Sequence, residues 1–443
     1  MAVCLLVFTI GSGVRLTSRD TAGRVPAGRK SQGRRGTRRP RVYVHIGEPK
    51  TGTTFLQRAM WSNRARLAAQ GVLLPGYRRQ DHNRASRDLR EAPRPASDPA
   101  DPWTGEWDVL VGQALQAREA AVISDEVLAA CNPPQADRAV RSLLEAEVHV
   151  ILTVRDFATL LPAEWQETVK CRATTGWEEW LSGVIDAGSA AGNRRLWPFW
   201  MLHDTLAILD MWSRNLPPDQ VHVITMPRHG QDGTLWARFA SVLGVDPGGV
   251  DLTGVRANSS LGLGEAEFLR RMNGALPEQM PDWFYTRTIK RVLAHDVLDA
   301  RSRRERLGVP PHREAWVRQQ SEILVAGLQD AKFHVVGDLG ELMPQPAARP
   351  YLGPDDQPAE QVLDAAVAAA AALADHEYQV RYLPRPPRDR PRGPRQAASR
   401  VTWAMLNGPR VRRVLCRASR VRAVRRLRVV IWRVLVRPAR YGR

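Results

Sequence analysis

The sequence predicts an α/β fold, a three-layer domain in which helices cover both faces of a central parallel sheet. Short β-branched runs carry that expectation: 41–46 (RVYVHI), 121–124 (AVIS), 148–154 (VHVILTV) and 221–225 (VHVIT). The runs are apolar along their length, as strands buried on both faces must be. Helical stretches separate them, and strand–helix alternation with long crossovers is the pattern of a parallel sheet.

The elements follow in order. Residues 1–40 form a basic segment. Its nine-residue apolar run, 2–10 (AVCLLVFTI), is shorter than the roughly 20 residues a spanning helix needs. It also lacks the positive charge that precedes a secretory core. The remainder is Arg, Gly and Ser without apolar period, a composition that predicts disorder.

The folded domain spans 41–383. Its first strand, 41–46, runs into Gly47 and a polar turn, then a helix from about Thr53 to Ala69 and a short strand over 71–75. Residues 76–107 are polar, contain Pro93, Pro95, Pro99 and Pro102, and read as a long loop. A helix near 108–118 leads to the strand 121–124, and one near 134–145 leads to 148–154. Strands at 221–225 and 333–336 complete the sheet. The alanine tract 366–374 is helix-forming and carries no further message.

Residues 384–394 (PRPPRDRPRGP) are a stiff basic linker. Beyond it, Asn407-Gly-Pro409 starts a helix and Pro438 stops one. Between them Val411, Val414, Leu415, Ala418 and Val421 recur at steps of three and four among arginines. Such a basic amphipathic helix suits an anionic membrane surface; a terminal helix packed on its own domain has the same periodicity.

Charge divides the chain. The total is +19, of which residues 1–41 carry +9 and residues 384–443 carry +18, leaving −8 for residues 42–383. A mildly acidic middle argues against nucleic acid as a specific partner of the domain. Cys4, Cys131, Cys171 and Cys416 are far apart, and the ten histidines form no H-x-x-x-H pair, so no metal motif is present. Unclustered thiols suit a reducing cytoplasm, with the basic tail on the inner face of the membrane.

Ligands of open α/β sheets bind outside the carboxyl ends of the strands. The first such end reads His45-Ile-Gly-Glu-Pro-Lys50-Thr-Gly-Thr-Thr54. Gly47 and Gly52 permit close backbone approach, and the amides of a strand-to-helix turn form an anion nest at a helix N-terminus. Lys50 adds a full charge, and Thr51, Thr53 and Thr54 add hydroxyls. This is a phosphate cradle. The strict ATP-binding pattern G-x-x-x-x-G-K-[ST] fails, because the lysine lies two residues before Gly52 and Thr53 follows it.

At these residues a family resemblance enters. Pro49-Lys50-Thr51-Gly52-Thr53-Thr54 after a strand resembles the 5′-phosphosulfate loop of sulfotransferases that use 3′-phosphoadenylyl sulfate (PAPS), in particular their bacterial P-loop-like branch. The resemblance implies a P-loop-NTPase-like domain and an arginine at the end of a later strand that grips the 3′-phosphate. Arg155, after 148–154, stands there, and Glu164-Trp165-Gln166-Glu167-Thr168-Val169-Lys170 in the next helix has the family's look. The family usually places a serine eight residues after this arginine; here the position is Ala163, and Thr159 or Gln166 are the substitutes at hand. A late loop closes over the 3′-phosphate in related enzymes, which makes Arg256, Asn258 and Ser259 candidates; capping of the helix that follows accounts for them equally well.

The implied reaction moves a sulfuryl group from PAPS to a hydroxyl or amine of a carbohydrate, lipid or small metabolite by in-line displacement, with no metal. It needs stabilised charge on the leaving phosphate and a base for the acceptor's proton. His82, on the polar stretch with Asp81 beside it, is the first candidate base, and Glu126, just past the strand 121–124, is the second. Asp81, Asp125 and Glu48 are the remaining acids of the same edge. Two other classes compete: a P-loop kinase or ATPase, which needs Mg²⁺ ligands, and a non-catalytic, membrane-tethered nucleotide-binding protein. Trp103, Trp107, Trp177, Trp180, Trp197 and Trp200 fall in or near rim segments, where a face can stack on an acceptor, although in a chain with 14 tryptophans most belong to the core.

Overall fold

A computed structural model describes residues 39–92, 104–189, 197–228, 232–255, 260–301, 307–345 and 351–382, with the isolated positions 426, 429 and 430. The basic segment 1–38 and nearly all of 383–443 lie outside the described residues.

The protein is α/β. Six strands form one parallel sheet in the order β2-β3-β1-β4-β5-β6. They are β1 (Arg41–His45), β2 (Val72–Leu73), β3 (Ala120–Ser124), β4 (Glu147–Val154), β5 (Val221–Thr225) and β6 (His334–Val336). β1 is central, with Val44 opposite Ile123 of β3 and Val150 of β4.

Strand side chains alternate between two cores, which is why the sheet needs two helical layers. Tyr43, Val122, Ile151 and Ile224 meet Phe55, Leu56 and Phe239 on one face. Val42, Val44, Ile123 and Val150 meet Trp107, Leu160, Trp165 and Trp200 on the other. The first face is covered by α1 (Thr53–Ser62) and by a later helix, Asp232–Leu243. A short helix α2 (Arg64–Ala69) follows α1. The single helix expected over 53–69 breaks at Asn63, whose amide is diverted sideways. It donates to the Ala59 and Asp251 carbonyls at 2.9 and 2.7 Å and accepts from Asp251 N at 2.9 Å.

The long loop expected over 76–107 is a second departure. Helix α3 (Arg79–Leu89) occupies much of it, and α4 (Glu106–Ala114) begins before its end. Asp81 starts α3 by accepting from Tyr77 N and Arg78 N at 2.8 and 3.2 Å. Asp88 near its end accepts from Gly105 N and Trp107 N at 3.1 and 2.9 Å, and so caps α4. Carboxylates at helix N-termini organise this stretch, and its scarcity of aliphatics hides the helical period.

The remaining helices are α5 (Pro133–Ser142), α6 (Phe157–Lys170), α7 (Trp177–Ser189), α8 (Pro198–His203), α9 (Thr205–Ser213), α10 (Asp232–Leu243) and α11 (Leu263–Ala275). A π-wound helix follows over Tyr285–Leu298, then helices Glu314–Asp330 and Ala359–Tyr382, the last containing the alanine tract. Among the described residues no helix is long and apolar enough to cross a membrane. Val429 lies against Gly112 of α4, so one apolar residue of the tail touches the domain.

The strand order sets the site. From β1 the chain turns to β2 and β3 on one side, and from β4 it proceeds to β5 and β6 on the other. Adjacent strands that lead in opposite directions open a crevice at their carboxyl ends. The turn after β1 and Arg155 after β4 flank that crevice.

Candidate functional site

The turn from β1 to α1 is built from left-handed backbone. Gly47, Lys50 and Gly52 have φ of +117°, +61° and +86°. A Cβ on Gly52 would run into the Leu235 side chain, and the positive φ there is one that residues with side chains rarely adopt. Lys50 holds a conformation that costs a non-glycine residue about 1–2 kcal/mol, the kind of strain that gathers at ligand sites.

The turn is laced to β4 through Thr153. Thr153 Oγ1 donates to Gly47 O at 3.0 Å and lies 2.5 Å from Thr51 Oγ1, which donates to Glu48 O at 2.5 Å. Backbone bonds Glu48 N to Thr153 O and Thr153 N to Gly47 O, 3.0 and 2.7 Å, complete the lacing. Thr51 is fully buried and spends its hydroxyl on the loop, so it is a scaffold residue here and not the ligand donor expected of it. Gly52 is the N-cap of α1 and offers no side chain, and the first turn carries no acid. The positive end of the helix dipole beside Thr53 and Thr54 is therefore not neutralised from within.

Arg155 reaches into the same turn. It donates from Nη1 to the Lys50 carbonyl at 3.1 Å and from Nε to Thr159 Oγ1 at 2.7 Å. Thr159 is held in turn by Asp156, the N-cap of α6. Arg155 thus ties the end of β4 to the backbone of the turn after β1. Ala163 lies half-buried one turn further along α6. Gln166 is not available as its substitute: it donates to Leu261 O and accepts from Leu261 N, at 2.9 and 3.1 Å. That pair anchors the segment after residues 256–259 beside α6. Arg256, Asn258 and Ser259 themselves lie outside the described residues.

Sequence reasoning missed the partners of Lys50. Its Nζ donates to Glu167 Oε2 at 2.5 Å, and Lys290 Nζ donates to the other oxygen, Oε1, at 2.6 Å. Burial works to raise the Glu167 acid, but the two lysines outweigh it and hold its pKa at about 2. Lys290 also points to Cys171 Sγ at 3.0 Å.

The base candidates separate clearly. His82 is not on a mobile polar loop. It sits on α3, fully buried, with Nδ1 accepting from Ser124 N at 3.0 Å and Nε2 donating to Pro75 O at 2.9 Å. Burial depresses its pKa to about 4, and neither ring nitrogen is left to take a substrate proton. The structure therefore moves His82 from chemistry to scaffold. Glu126 lies beside the turn, its backbone 3.1 Å from where a Cβ on Gly47 would stand. Its Oε2 accepts from Gln57 Nε2 at 2.9 Å, and Gln57 Oε1 accepts from Arg79 at 3.2 Å. Neighbouring Asp125 is pushed up to about 7, first by burial and then by the charge of Glu126. Asp81 is occupied with capping α3.

Glu48 faces inward. It accepts from Thr205 Oγ1 at 2.6 Å and sits 3.4 Å from His203 Nδ1, while His203 Nε2 is 3.6 Å from Glu164 of α6. Burial opposes charge on this fully buried imidazole, yet the flanking carboxylates raise its pKa to about 9. A buried imidazolium thus pins the turn to α6. Among the described residues no cluster of His, Cys, Asp and Glu is arranged to hold a metal ion. Of the tryptophans, Trp107, Trp177 and Trp200 are buried core, Trp180 is half-buried and Trp197 is 46% exposed; Trp103 lies outside the described residues.

Compared with known proteins, the chain matches no family model, no curated protein and no solved structure.

Proposed function

We propose that the protein is a PAPS-dependent sulfotransferase with a P-loop-like donor site at the β1/β4 crevice. The observation that carries this reading is the bond from Arg155 to the Lys50 carbonyl, which ties the second element of the resemblance to the backbone of the loop. In this reading Lys50 and the amides of residues 50–54 receive the 5′-phosphosulfate. Arg155 binds the 3′-phosphate by parallel hydrogen bonds. The acceptor's oxygen or nitrogen attacks sulfur in line, the S–O bond to phosphate breaks, and the new charge falls on an oxygen facing Lys50.

Glu126 takes the acceptor's proton. The acceptor is a carbohydrate, lipid or small metabolite, and the arginine-rich residues 384–443 place the enzyme at an anionic membrane surface on the cytoplasmic side.

Thermal shift separates the donor classes. PAP, the desulfated product, raises the melting temperature without metal, because a ligand that binds only the folded state stabilises it. Stabilisation by ATP with Mg²⁺ and none by PAP would replace this reading with a kinase or ATPase.

A further inference from the structure

Lys50 and Lys290 each hold one oxygen of the same carboxylate, that of Glu167. The three side chains are about equally open to solvent, 22%, 25% and 24% exposed. With two ammoniums and one carboxylate the group keeps a net charge of +1, so it still attracts an anion. Resting on the donor-site reading above, we infer that the Glu167 carboxylate competes with the donor's 5′-phosphosulfate for Lys50, and that Lys290 retains Glu167 once the donor displaces it.

The surroundings separate what is fixed from what can turn. The backbone of Lys50 is set by Arg155 at its carbonyl and by the lacing of Thr51 to Thr153. Its ammonium is therefore the part that swings. Glu167 and Lys290 belong to α6 and the π-wound helix; Lys170, the last residue of α6, and Asp299, directly after the π-wound helix, join them, 3.0 Å apart and each 5% exposed. His295 meets the same Asp299 at 3.1 Å. The Glu167–Lys290 pair thus survives the departure of Lys50, and Cys171 Sγ offers Lys290 a further contact. Displacement leaves no carboxylate buried without a partner, which would otherwise be strongly unfavourable. Glu167 and Lys290 are positioning residues: they set where the loop lysine rests and how readily the donor recruits it.

Calorimetric titration of the full chain tests this with two ligands, PAP and 3′-AMP, which lacks the 5′-phosphate. Glu167→Gln removes the competing charge, so PAP binds about tenfold tighter, the scale of a hydrogen bond to a charged group. Binding of 3′-AMP stays unchanged, whereas a general structural defect alters both ligands. Lys290→Met leaves Glu167 to Lys50 alone and weakens PAP. In the Glu167→Gln background the same change has a clearly smaller effect, because only the general attraction of the Lys290 charge remains. PAP affinity that Glu167→Gln leaves the same or lowers overturns the inference, as does a Lys290→Met effect that is undiminished in the double variant. Absence of PAP binding in both wild type and Glu167→Gln overturns the donor reading, and this inference with it.

Discussion

Arg155 Nη1 donates to the carbonyl of Lys50 at 3.1 Å, so a residue at the end of β4 holds the backbone of the lysine after β1. The two are 105 residues apart in sequence. Lys50 has positive φ, and an acceptor bond at its carbonyl is one of the contacts that maintain that conformation.

Lys50→Ala removes the charge that faces the leaving phosphate. We expect transfer to fall by about 10²–10³, the loss seen when one preorganised donor is deleted. The melting temperature should move little, since the ammonium is partly exposed and its ion pair is worth about 1 kcal/mol or less. Sulfate transfer and thermal melts, measured side by side, check this; near-normal turnover removes Lys50 from the chemistry.

Arg155→Ala should weaken PAP binding and raise KM for the donor more than it lowers kcat. Arg155→Lys should not rescue it, because an ammonium cannot bond the Lys50 carbonyl, Thr159 and a phosphate with a planar fork. Titration of PAP against both variants decides, and unchanged affinity makes Arg155 purely structural.

His82→Ala and Glu126→Gln should diverge. Loss of His82 strands Ser124 N and Pro75 O in the interior and opens a cavity, so stability falls by about 2–4 kcal/mol. Turnover per folded molecule is retained. Glu126→Gln keeps stability and lowers kcat by about 10²-fold or more, as loss of a general base does. Denaturant melts paired with rates at saturating PAPS distinguish the two, and the opposite pattern returns the base role to His82.

Stability should be greatest near pH 6.5 and fall on both sides. His203 is raised to about 9, so its contribution is complete below pH 6.5 and is lost as pH rises through 9. His45, His82 and His222 are depressed to about 3, 4 and 3 by burial. Their contribution is complete above pH 6.5 and is lost as pH falls toward 3, because the unfolded chain binds protons they refuse. Melting temperatures from pH 4 to 10 trace both limbs, and His203→Gln should flatten the alkaline one alone.

Removal of residues 384–443 should leave transfer intact and abolish co-sedimentation with anionic liposomes. Each arginine at such a surface is worth about 1 kcal/mol, so loss of nineteen is decisive. Equal sedimentation of full-length and truncated chains at moderate salt defeats the membrane assignment.

The sheet, its parallel direction and the turn at Gly47–Thr54 were legible in the residues themselves, because strand runs, glycine positions and a cap are local properties of the chain. Arg155 was singled out through the family resemblance, which asks for an arginine at the end of a later strand; its bond to the Lys50 carbonyl was not legible there. Only the tertiary structure decided what those residues touch. His82 has polar neighbours in sequence, yet α3 turns it inward between Pro75 and Ser124. Glu167 lies in the family-like stretch 164–170 without any role assigned to it, Lys290 belongs to no motif, and the two are 123 residues apart. They meet because the π-wound helix packs on α6, and charge pairing across such a distance depends on packing that no local pattern records.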